Sequence, residues 1–518
     1  MNRKQFWYLL YLAVVALLLV FEIVAVVSIA RLKLIPGALV CLLLVFFLLY
    51  TGVVYWFMFL RGFQKITKRN ARRVAKKRRI IACVLTLVMV CGCVVITSAT
   101  GKAYRALKAV QVTEVVEEDN AVKRAIYVRT HDTAQTLADA KDYRFGKLIH
   151  FDDENTQQAV DAIEAQVGGS IQTVGYSSVF DLANSLLSGE LDAVILSSNY
   201  ISVLEGDSRF SKFSSMSRIL EEVEIEGTGE EMDSAGLLLN AEEDIAENGK
   251  LKPFVVYISG SDSRTNSMQN NRSDVNIMVV VHPENRQILL VNTPRDYYIP
   301  STELEGAMEK LSHAGVFGVK SSIESLETLY DQDITYYLQV SFGGMEGLVD
   351  AIGGITVYSD EEFVLYEDVG TIYIGENYLD GVRALAYART RKGVEGGDLG
   401  RGNHQMDIIK AVVAKATEGT TILKSYASIL DTLKDAFKMN IPSSLISAMV
   451  KNQLDDMSGW TVLSYSTYGV GGYGEVYSVP GSTVYIIEPD SSAVAKATKL
   501  IDMVMAGEVL TQDQVNAM

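Results

Sequence analysis

The sequence predicts an α/β protein: a central, mostly mixed β-sheet covered by helices on both faces, preceded by a small α/β accessory domain and three transmembrane helices. Three observations predict it. From residue 251 onward, β-branched runs of strand length alternate with helical segments, the pattern of a sheet packed on both sides by helices. Residues 124–225 show the same alternation on a smaller scale. Ahead of both lie three long apolar runs with almost no charge. The 518 residues are 48% apolar, which excludes a disordered chain.

The apolar runs are residues 6–30, 35–60 and 80–99, and Glu22 is the one charge within them. Each is long enough to cross about 30 Å of hydrocarbon, and each is apolar all round rather than along one stripe. Residues 61–79, between the second and third runs, carry ten basic residues and no acid. Such a loop stays in the cytoplasm and faces anionic membrane lipid. The chain is then a multi-pass protein of the cell membrane, with its N-terminus cytoplasmic and the residues after about 100 extracellular. Arg31 and Lys33 in the short outer loop run against this rule but are heavily outnumbered. Residues 1–100 hold 14 basic residues and one acid, and the remainder holds 33 basic and 62 acidic residues, a net charge of −29. That exterior excludes nucleic acid as a partner, because a phosphate backbone needs a basic footprint. Cys41, Cys83, Cys91 and Cys93 are the only cysteines and all fall in the apolar runs. The outer region therefore has no disulfide framework and must rest on a hydrophobic core.

Residues 101–123 predict a helical stalk. In the accessory domain, 124–225, strands are expected at 125–128, 171–174 and 193–196 and helices at 156–166 and 179–188, with no catalytic constellation. The acid-rich stretch 221–250 reads as solvated linker, and 226–250 is taken as the connection to a larger domain at 251–510. There the strands are expected at 254–259, 275–281, 287–292, 334–340, 355–358, 460–464 and 483–487. Helices are expected at 319–329, 344–351, 379–388, 406–416, 422–437, 443–453 and 491–505.

The chemistry-bearing residues of this domain cluster at predicted strand ends and loops, where α/β folds place their sites. The first strand runs into Gly260-Ser261-Asp262-Ser263-Arg264, and the second is entered through Arg272-Ser273-Asp274. Thr293-Pro294-Arg295-Asp296 follows the third, and Lys310-Leu311-Ser312-His313-Ala314 comes next. Later come Arg389-Thr390-Arg391 and Gly397-Asp398-Leu399-Gly400-Arg401, with Gln405 four residues on. Two carboxylates at adjacent strand termini with at least five cations on separate loops suit a diphosphate with a divalent metal. Carboxylates ligate Mg²⁺ together with phosphate oxygens, and arginine forks grip phosphate oxygens in pairs. Arg295–Asp296 could equally be a local ion pair, and Asp after a strand is often a turn residue.

These motifs, in this order and together with Gly-Leu-Val-Asp-Ala-Ile-Gly-Gly-Ile at 347–355 and Leu-Asp-Gly-Val-Arg-Ala-Leu-Ala-Tyr-Ala at 379–388, resemble the LytR–CpsA–Psr family. The likeness covers about residues 251–510. The three apolar runs and the extra domain resemble its capsule-type branch. The resemblance implies an enzyme on the outer face of a Gram-positive membrane. Its donor is a glycopolymer (capsule, teichoic acid or similar) linked through pyrophosphate to a polyprenyl lipid. Its acceptor is peptidoglycan, at the muramic acid 6-hydroxyl; a phosphodiester forms and polyprenyl phosphate leaves. Carried onto matching positions, Asp262 and Asp274 hold Mg²⁺, with Mn²⁺ as the alternative, and either could be the general base. Arg272, Arg295, Lys310, Arg389, Arg391, Arg401 and Gln405 hold the pyrophosphate, with Arg295 counted as catalytic beside the two aspartates. The lipid tail lies in an apolar tunnel between sheet and helices. One departure is His404, where the family places Arg, which puts one phosphate contact in doubt. Two other readings use the same residues: a polyprenyl-pyrophosphate hydrolase, with water in place of the sugar hydroxyl, and a non-enzymatic polysaccharide-binding or regulatory surface protein.

Overall fold

The structure, a computed structural model, describes residues 3–31, 37–59, 68–110, 121–149, 153–226, 245–247, 250–261, 272–304, 306–418 and 437–518. Asp262 and its loop lie outside the described residues. So do the predicted helix at 422–436, positions 111–120 of the stalk, positions 227–244 of the linker and positions 61–67 of the basic loop.

The chain divides into two compact units. The first contains three long helices, α1 (Arg3–Arg31), α2 (Gly37–Phe59) and α3 (Lys68–Val110). Their segments Gln5–Arg31, Leu39–Phe59 and Lys76–Gly101 are long and apolar enough to cross a membrane. Leu18, Val54 and Ala82 pack together without exposure, and Ala25, Phe47 and Cys93 form a second contact layer. Glu22 is buried between the helices, where its Oε2 accepts a hydrogen bond of 2.6 Å from Thr51 Oγ1. That bond lowers the cost of a carboxyl group in apolar surroundings. The basic loop is shorter than expected: from Lys68 onward it is already helix, since its Arg, Lys and Ala are good helix formers.

The second unit carries two sheets. A five-stranded sheet is formed by β1 (Ala121–Arg129), β2 (Arg144–Leu148), β3 (Gln172–Tyr176), β4 (Ala193–Leu196) and β5 (Ser217–Glu226), in the order β3-β2-β4-β1-β5. Helices α4 (Asp153–Val167), α5 (Val179–Ser188) and α6 (Tyr200–Gly206) accompany it. Ser178 caps α5 through its side chain, and Gly189 closes the helix in the left-handed conformation. The stretch 217–226 corrects the linker reading. Leu220, Val223 and Ile225 are buried in its strand while Glu221, Glu222 and Glu224 face outward. The charge run conceals a half-buried edge strand.

The larger sheet is built from β6 (Phe254–Ser261), β7 (Val275–His282), β8 (Gln287–Asn292), β11 (Tyr336–Ser341), β14 (Phe437–Met439) and β15 (Thr461–Ser466). Its order is β14-β11-β6-β7-β8-β15. It is mixed: β6 and β11, and β8 and β15, pair in parallel, while the other neighbours are antiparallel. The period of two along each strand sorts the side chains. Tyr257, Met278, Val280 and Leu289 face a core shared with α7 (Val319–Tyr330) and α11 (Ser491–Met505). The opposite face is roofed by α8 (Phe342–Ala351), α9 (Gly381–Arg389) and α10 (Asp398–Thr417).

The two-stranded pairings among the described residues include β9 (Tyr298–Ser301) with β10 (Ala307–Lys310), β12 (Ile355–Ser359) with β13 (Gly375–Leu379), and β16 (Gly469–Glu475) with β17 (Thr483–Pro489). The expected helix at 379–388 starts later, because Leu379 ends β13 and the Asp380 side chain caps α9 by accepting from Arg383 N at 2.9 Å. Phe437, expected at a helix end, is in a strand. Helix α10 begins at Asp398 rather than 406. Three glycines lie within 397–402, so propensity alone argues against helix there, and tertiary ion pairs hold the first turn instead.

Candidate functional site

A cavity of about 460 Å³ lies between the larger sheet and its roof helices, a volume within the ordinary range of small-molecule sites. The sheet wall is the second register of the strands: Ile258 from β6, Ile277 from β7, Leu338 and Val340 from β11. Met345 and Leu348 of α8 face it, with Ile408, Ile409, Val412 and Val413 of α10. The spacing of each set is one stripe of a helix, so this wall is apolar by construction.

One end of the cavity has the opposite character. Arg272, Arg295, Arg389, Arg391 and Arg401 gather there, and Glu205 and Asp274 line the same cavity. They come from separate elements. Arg272 and Asp274 lead into β7, Arg295 sits in the turn after β8, and Arg389 ends α9. Arg401 and Gln405 occupy the first turns of α10, whose N-terminal end adds the positive pole of its dipole.

Asp274 organises the cluster. Its Oδ1 accepts from Arg295 Nη1 at 2.6 Å, its Oδ2 lies 3.8 Å from Arg272 Nη2, and its backbone oxygen lies 3.5 Å from Arg401 Nη2. Asp398 ties the far side: its carboxylate is 3.1 Å from Arg401, 3.7 Å from Arg391 and 3.9 Å from Arg295. The Arg389 guanidinium lies over Phe342 and Tyr366, 4.7 and 4.3 Å from the ring centroids, and its Nη1 is 3.9 Å from Glu367 Oε1, contacts that fix its fork. The buried Nε–H groups of Arg272, Arg295 and Arg401 make no hydrogen bond among the described residues. Unpaired buried donors are rare in folded proteins, and three around one opening mark a place for oxygen acceptors.

Burial alone would push the Asp274 carboxyl up, but Arg272, Arg295 and Arg401 outweigh it and hold it well below the usual carboxylate range. Asp296 moves the same way: burial opposes the shift and Lys310 and Arg295 win. A carboxyl depressed in the folded state stabilises fully above its unfolded pKa and loses that contribution as pH falls toward the folded value. Stability should therefore be level from about pH 5 to 7 and fall below about pH 4, the ordinary carboxylate range. A urea-unfolding series against pH checks this, and Asp274→Asn should flatten the acid limb.

Of the residues singled out from sequence, the structure brings Asp274, Arg272, Arg295, Arg389, Arg391, Arg401 and Gln405 to one cavity. Lys310 does not line it; its ammonium is 2.7 Å from Asp296, which it neutralises. Asp262 lies outside the described residues. His404 does not stand in for the phosphate-binding Arg. It is buried between Phe363 and Tyr387, with ring centroids 5.0 and 4.3 Å away, and burial pushes its pKa down. His313 is likewise buried: burial again lowers its pKa, and its Nδ1 lies 3.1 Å from Glu309 and 3.0 Å from Ser478.

Sequence reasoning missed two contributions. Asp398 stood inside a quoted motif, but its part in pairing three arginines appears only when α10 is folded. Glu205 and Gly206 come from α6, some 65 residues from Arg272, and no local motif points to them. Gly206 leaves room for Arg272: a Cβ there would fall on the Arg272 guanidinium. Gly206→Ala should therefore displace Arg272 and lower activity by about tenfold, the scale of one misplaced contact, with little change in melting temperature. Activity assays paired with thermal melts check this.

No group of three or more metal-ligating side chains occurs among the described residues. The donor chemistry nevertheless fits Mg²⁺, which needs only one or two carboxylates when substrate phosphates complete the shell. Asp274 supplies one, with an Oδ2 that makes no close hydrogen bond.

Together, the apolar cavity and the arginine-rich mouth have the chemistry to take an amphiphilic anion, with its charged group at the opening and its apolar part within. The family model described as LytR_cpsA_psr matches residues 221–491. Among curated proteins, one from Bacillus mycoides named polyisoprenyl-teichoic acid–peptidoglycan teichoic acid transferase TagU is 31% identical over 246 residues, covering 47% of this chain and 76% of its own length. A Bacillus cereus protein of the same name is 32% identical over 246 residues, with the same coverage. The crystal structure of B. subtilis TagV is 26% identical, with a TM-score of 0.42, covering 50% of this chain and 99% of that one. The chain belongs to the LytR–CpsA–Psr family.

Proposed function

We propose that the chain joins a glycopolymer, carried by a polyprenyl lipid through pyrophosphate, to peptidoglycan by a phosphodiester, outside the membrane that its three apolar helices cross. The chain is a transferase of phosphorus-containing groups. One observation carries the donor assignment: three buried guanidinium donors without partners among the described residues meet where a polar mouth joins an apolar cavity. A pyrophosphate would satisfy the donors and a polyprenyl tail would fill the cavity. The ten basic residues of 61–79 support a cytoplasmic position for that stretch, hence an outer position for the site.

In the reaction the acceptor hydroxyl oxygen forms a bond to the phosphorus next to the glycan. The bond from that phosphorus to the bridging oxygen breaks, and polyprenyl phosphate leaves with the electron pair. Arg272, Arg295, Arg389 and Arg401 hold the phosphate oxygens as charge moves onto the leaving group. Mg²⁺, held by Asp274 and by Asp262, would neutralise diphosphate charge when bound. Asp274 is a poor base, because its arginines favour the ionised form. Asp398, whose side chain is more exposed than that of Asp274, takes the hydroxyl proton. It lines a second, smaller cavity beside Arg295 and Arg401, with its Oδ1 3.1 Å from Arg401 Nη2.

The test is product analysis with the full chain in detergent, a lipid-pyrophosphate-linked glycan and peptidoglycan. The expected products are a glycan–peptidoglycan phosphodiester and polyprenyl phosphate. Free phosphoglycan released at the same rate without peptidoglycan would replace this reading with hydrolysis.

A further inference from the structure

The second cavity has about 110 Å³ and shares Asp274, Arg295, Arg401 and Gln405 with the first. From those residues it leads away from the apolar cavity, past Asn292 and Asp398, to Tyr468, Gly469 and Ile487. These last three belong to the glycine-rich hairpin β16–β17 and the residue before it. In-line displacement brings the nucleophile in opposite the leaving group. With the leaving lipid phosphate toward the apolar cavity, the second cavity is the entrance for the attacking hydroxyl.

The hairpin extends that entrance as a surface. Its register pairs Gly471 with Ile487 and Tyr473 with Tyr485, so all four share one face. Tyr473 is 77% exposed, and its ring meets that of Tyr485 edge-on at 5.9 Å. The Tyr485 ring lies across the bare backbone of Gly471, where a Cβ would meet its hydroxyl. This face thus runs from Ile487, at the cavity, past Tyr485 out to Tyr473. The opposite face is anchored: Ile486 is buried in the core shared with the five-stranded sheet. Further ties hold the ends of the hairpin. Tyr297 Oη donates to Tyr468 O at 2.7 Å, Tyr298 Oη donates to Glu475 O at 2.9 Å, and Ser478 N donates to Glu309 Oε2 at 2.7 Å. An exposed aromatic strip on a rigid hairpin, continuous with a catalytic opening, marks a ligand groove rather than chance exposure.

We propose that the tyrosine face of β16–β17 is the docking track for the acceptor glycan strand, whose pyranose rings lay their C–H faces on Tyr485 and Tyr473 while one hydroxyl reaches the second cavity. The proposal rests on the transfer reading above and assigns its acceptor subsite. Tyrosine suits a sugar: its ring gives an apolar face and its hydroxyl a polar edge. The hairpin carries Glu475 and Glu488 but no arginine or lysine, which fits a hydroxyl-rich chain rather than a second anion.

The test uses the full chain in detergent micelles. N-acetylglucosamine hexasaccharide is titrated by calorimetry as a pyranose-chain probe, and transfer to peptidoglycan is measured alongside. Tyr473→Ala with Tyr485→Ala should weaken hexasaccharide binding about tenfold, the loss of one good aromatic contact, and raise the acceptor KM by a similar factor while kcat stays within about twofold. Tyr473→Phe with Tyr485→Phe should keep both near wild type. Tyr473→Ala alone, at an exposed position, keeps the test valid if the double variant folds poorly. Unchanged hexasaccharide affinity in the Ala variants overturns the proposal. So does a loss of affinity for the lipid-pyrophosphate donor that needs the donor's own glycan, since the track would then hold the donor. Tyrosine-dependent hexasaccharide binding in a chain that makes no phosphodiester would uphold the track and overturn the transfer reading.

Discussion

Arg295→Ala should lower kcat/KM for transfer by at least about a hundredfold, the effect of removing one donor aimed at developing charge. It should also cost about 3–5 kcal/mol of stability, the penalty for leaving a buried charge without its partner. Both follow from one contact. Arg295 Nη1 lies 2.6 Å from Asp274 Oδ1, and both side chains are largely buried. Its Nε, which has no hydrogen-bond partner among the described residues, lies among Asp274, Asp296 and Asp398 at the junction of the two cavities. Arg295→Lys keeps the charge but loses the planar fork, so it should restore much of the stability and little of the activity. Steady-state kinetics and urea unfolding on the same preparations separate the two effects.

Asp274→Asn should be nearly as damaging to activity and should act differently on stability. The substitution keeps the shape and removes the charge that holds Arg272, Arg295 and Arg401 within one small volume. Three guanidiniums left facing one another repel, and the site is expected to open. Transfer should fall by about 10²- to 10³-fold, since both the arginine positions and a metal ligand are lost. Addition of pyrophosphate should raise the melting temperature of the variant more than that of the wild type, because an anion replaces the missing negative charge. A melting temperature unchanged by the substitution would mean that Asp274 does not organise the arginines.

The sheet was legible in the sequence because its strands are buried on both faces: Val275–His282 and Gln287–Asn292 are continuous apolar runs bounded by polar residues. Arg272, Asp274, Arg295 and Arg389 were legible because they sit at the ends of such elements. What escaped has a common physical cause, namely dependence on partners distant in sequence. The first turns of α10 contain Gly400 and Gly402 and are tied by Arg295 to Asp398 and by Arg401 to the Asp274 carbonyl rather than held by propensity. The hairpin β16–β17 has four glycines in seven residues of its first strand and no alternation of apolar residues to announce it. His404 stands where the family places Arg, and the two aromatic rings that enclose it come from elsewhere in the chain. Gly206 of α6 serves Arg272, some 65 residues on, which only the folded chain brings near.

The central claim is that the arginine cluster and the apolar cavity hold one molecule, a lipid pyrophosphate. Titration of the full chain in detergent with a polyprenyl pyrophosphate, and separately with the matching polyprenol, tests it most directly. The account predicts saturable binding of the pyrophosphate, at least about a hundredfold weaker in the Arg295→Ala, Arg401→Ala double variant, two charge-assisted contacts being worth roughly 3 kcal/mol or more. The polyprenol should bind no better to the wild type than to the variant. Equal affinity for the two lipids, or a double variant that binds the pyrophosphate like the wild type, would contradict it.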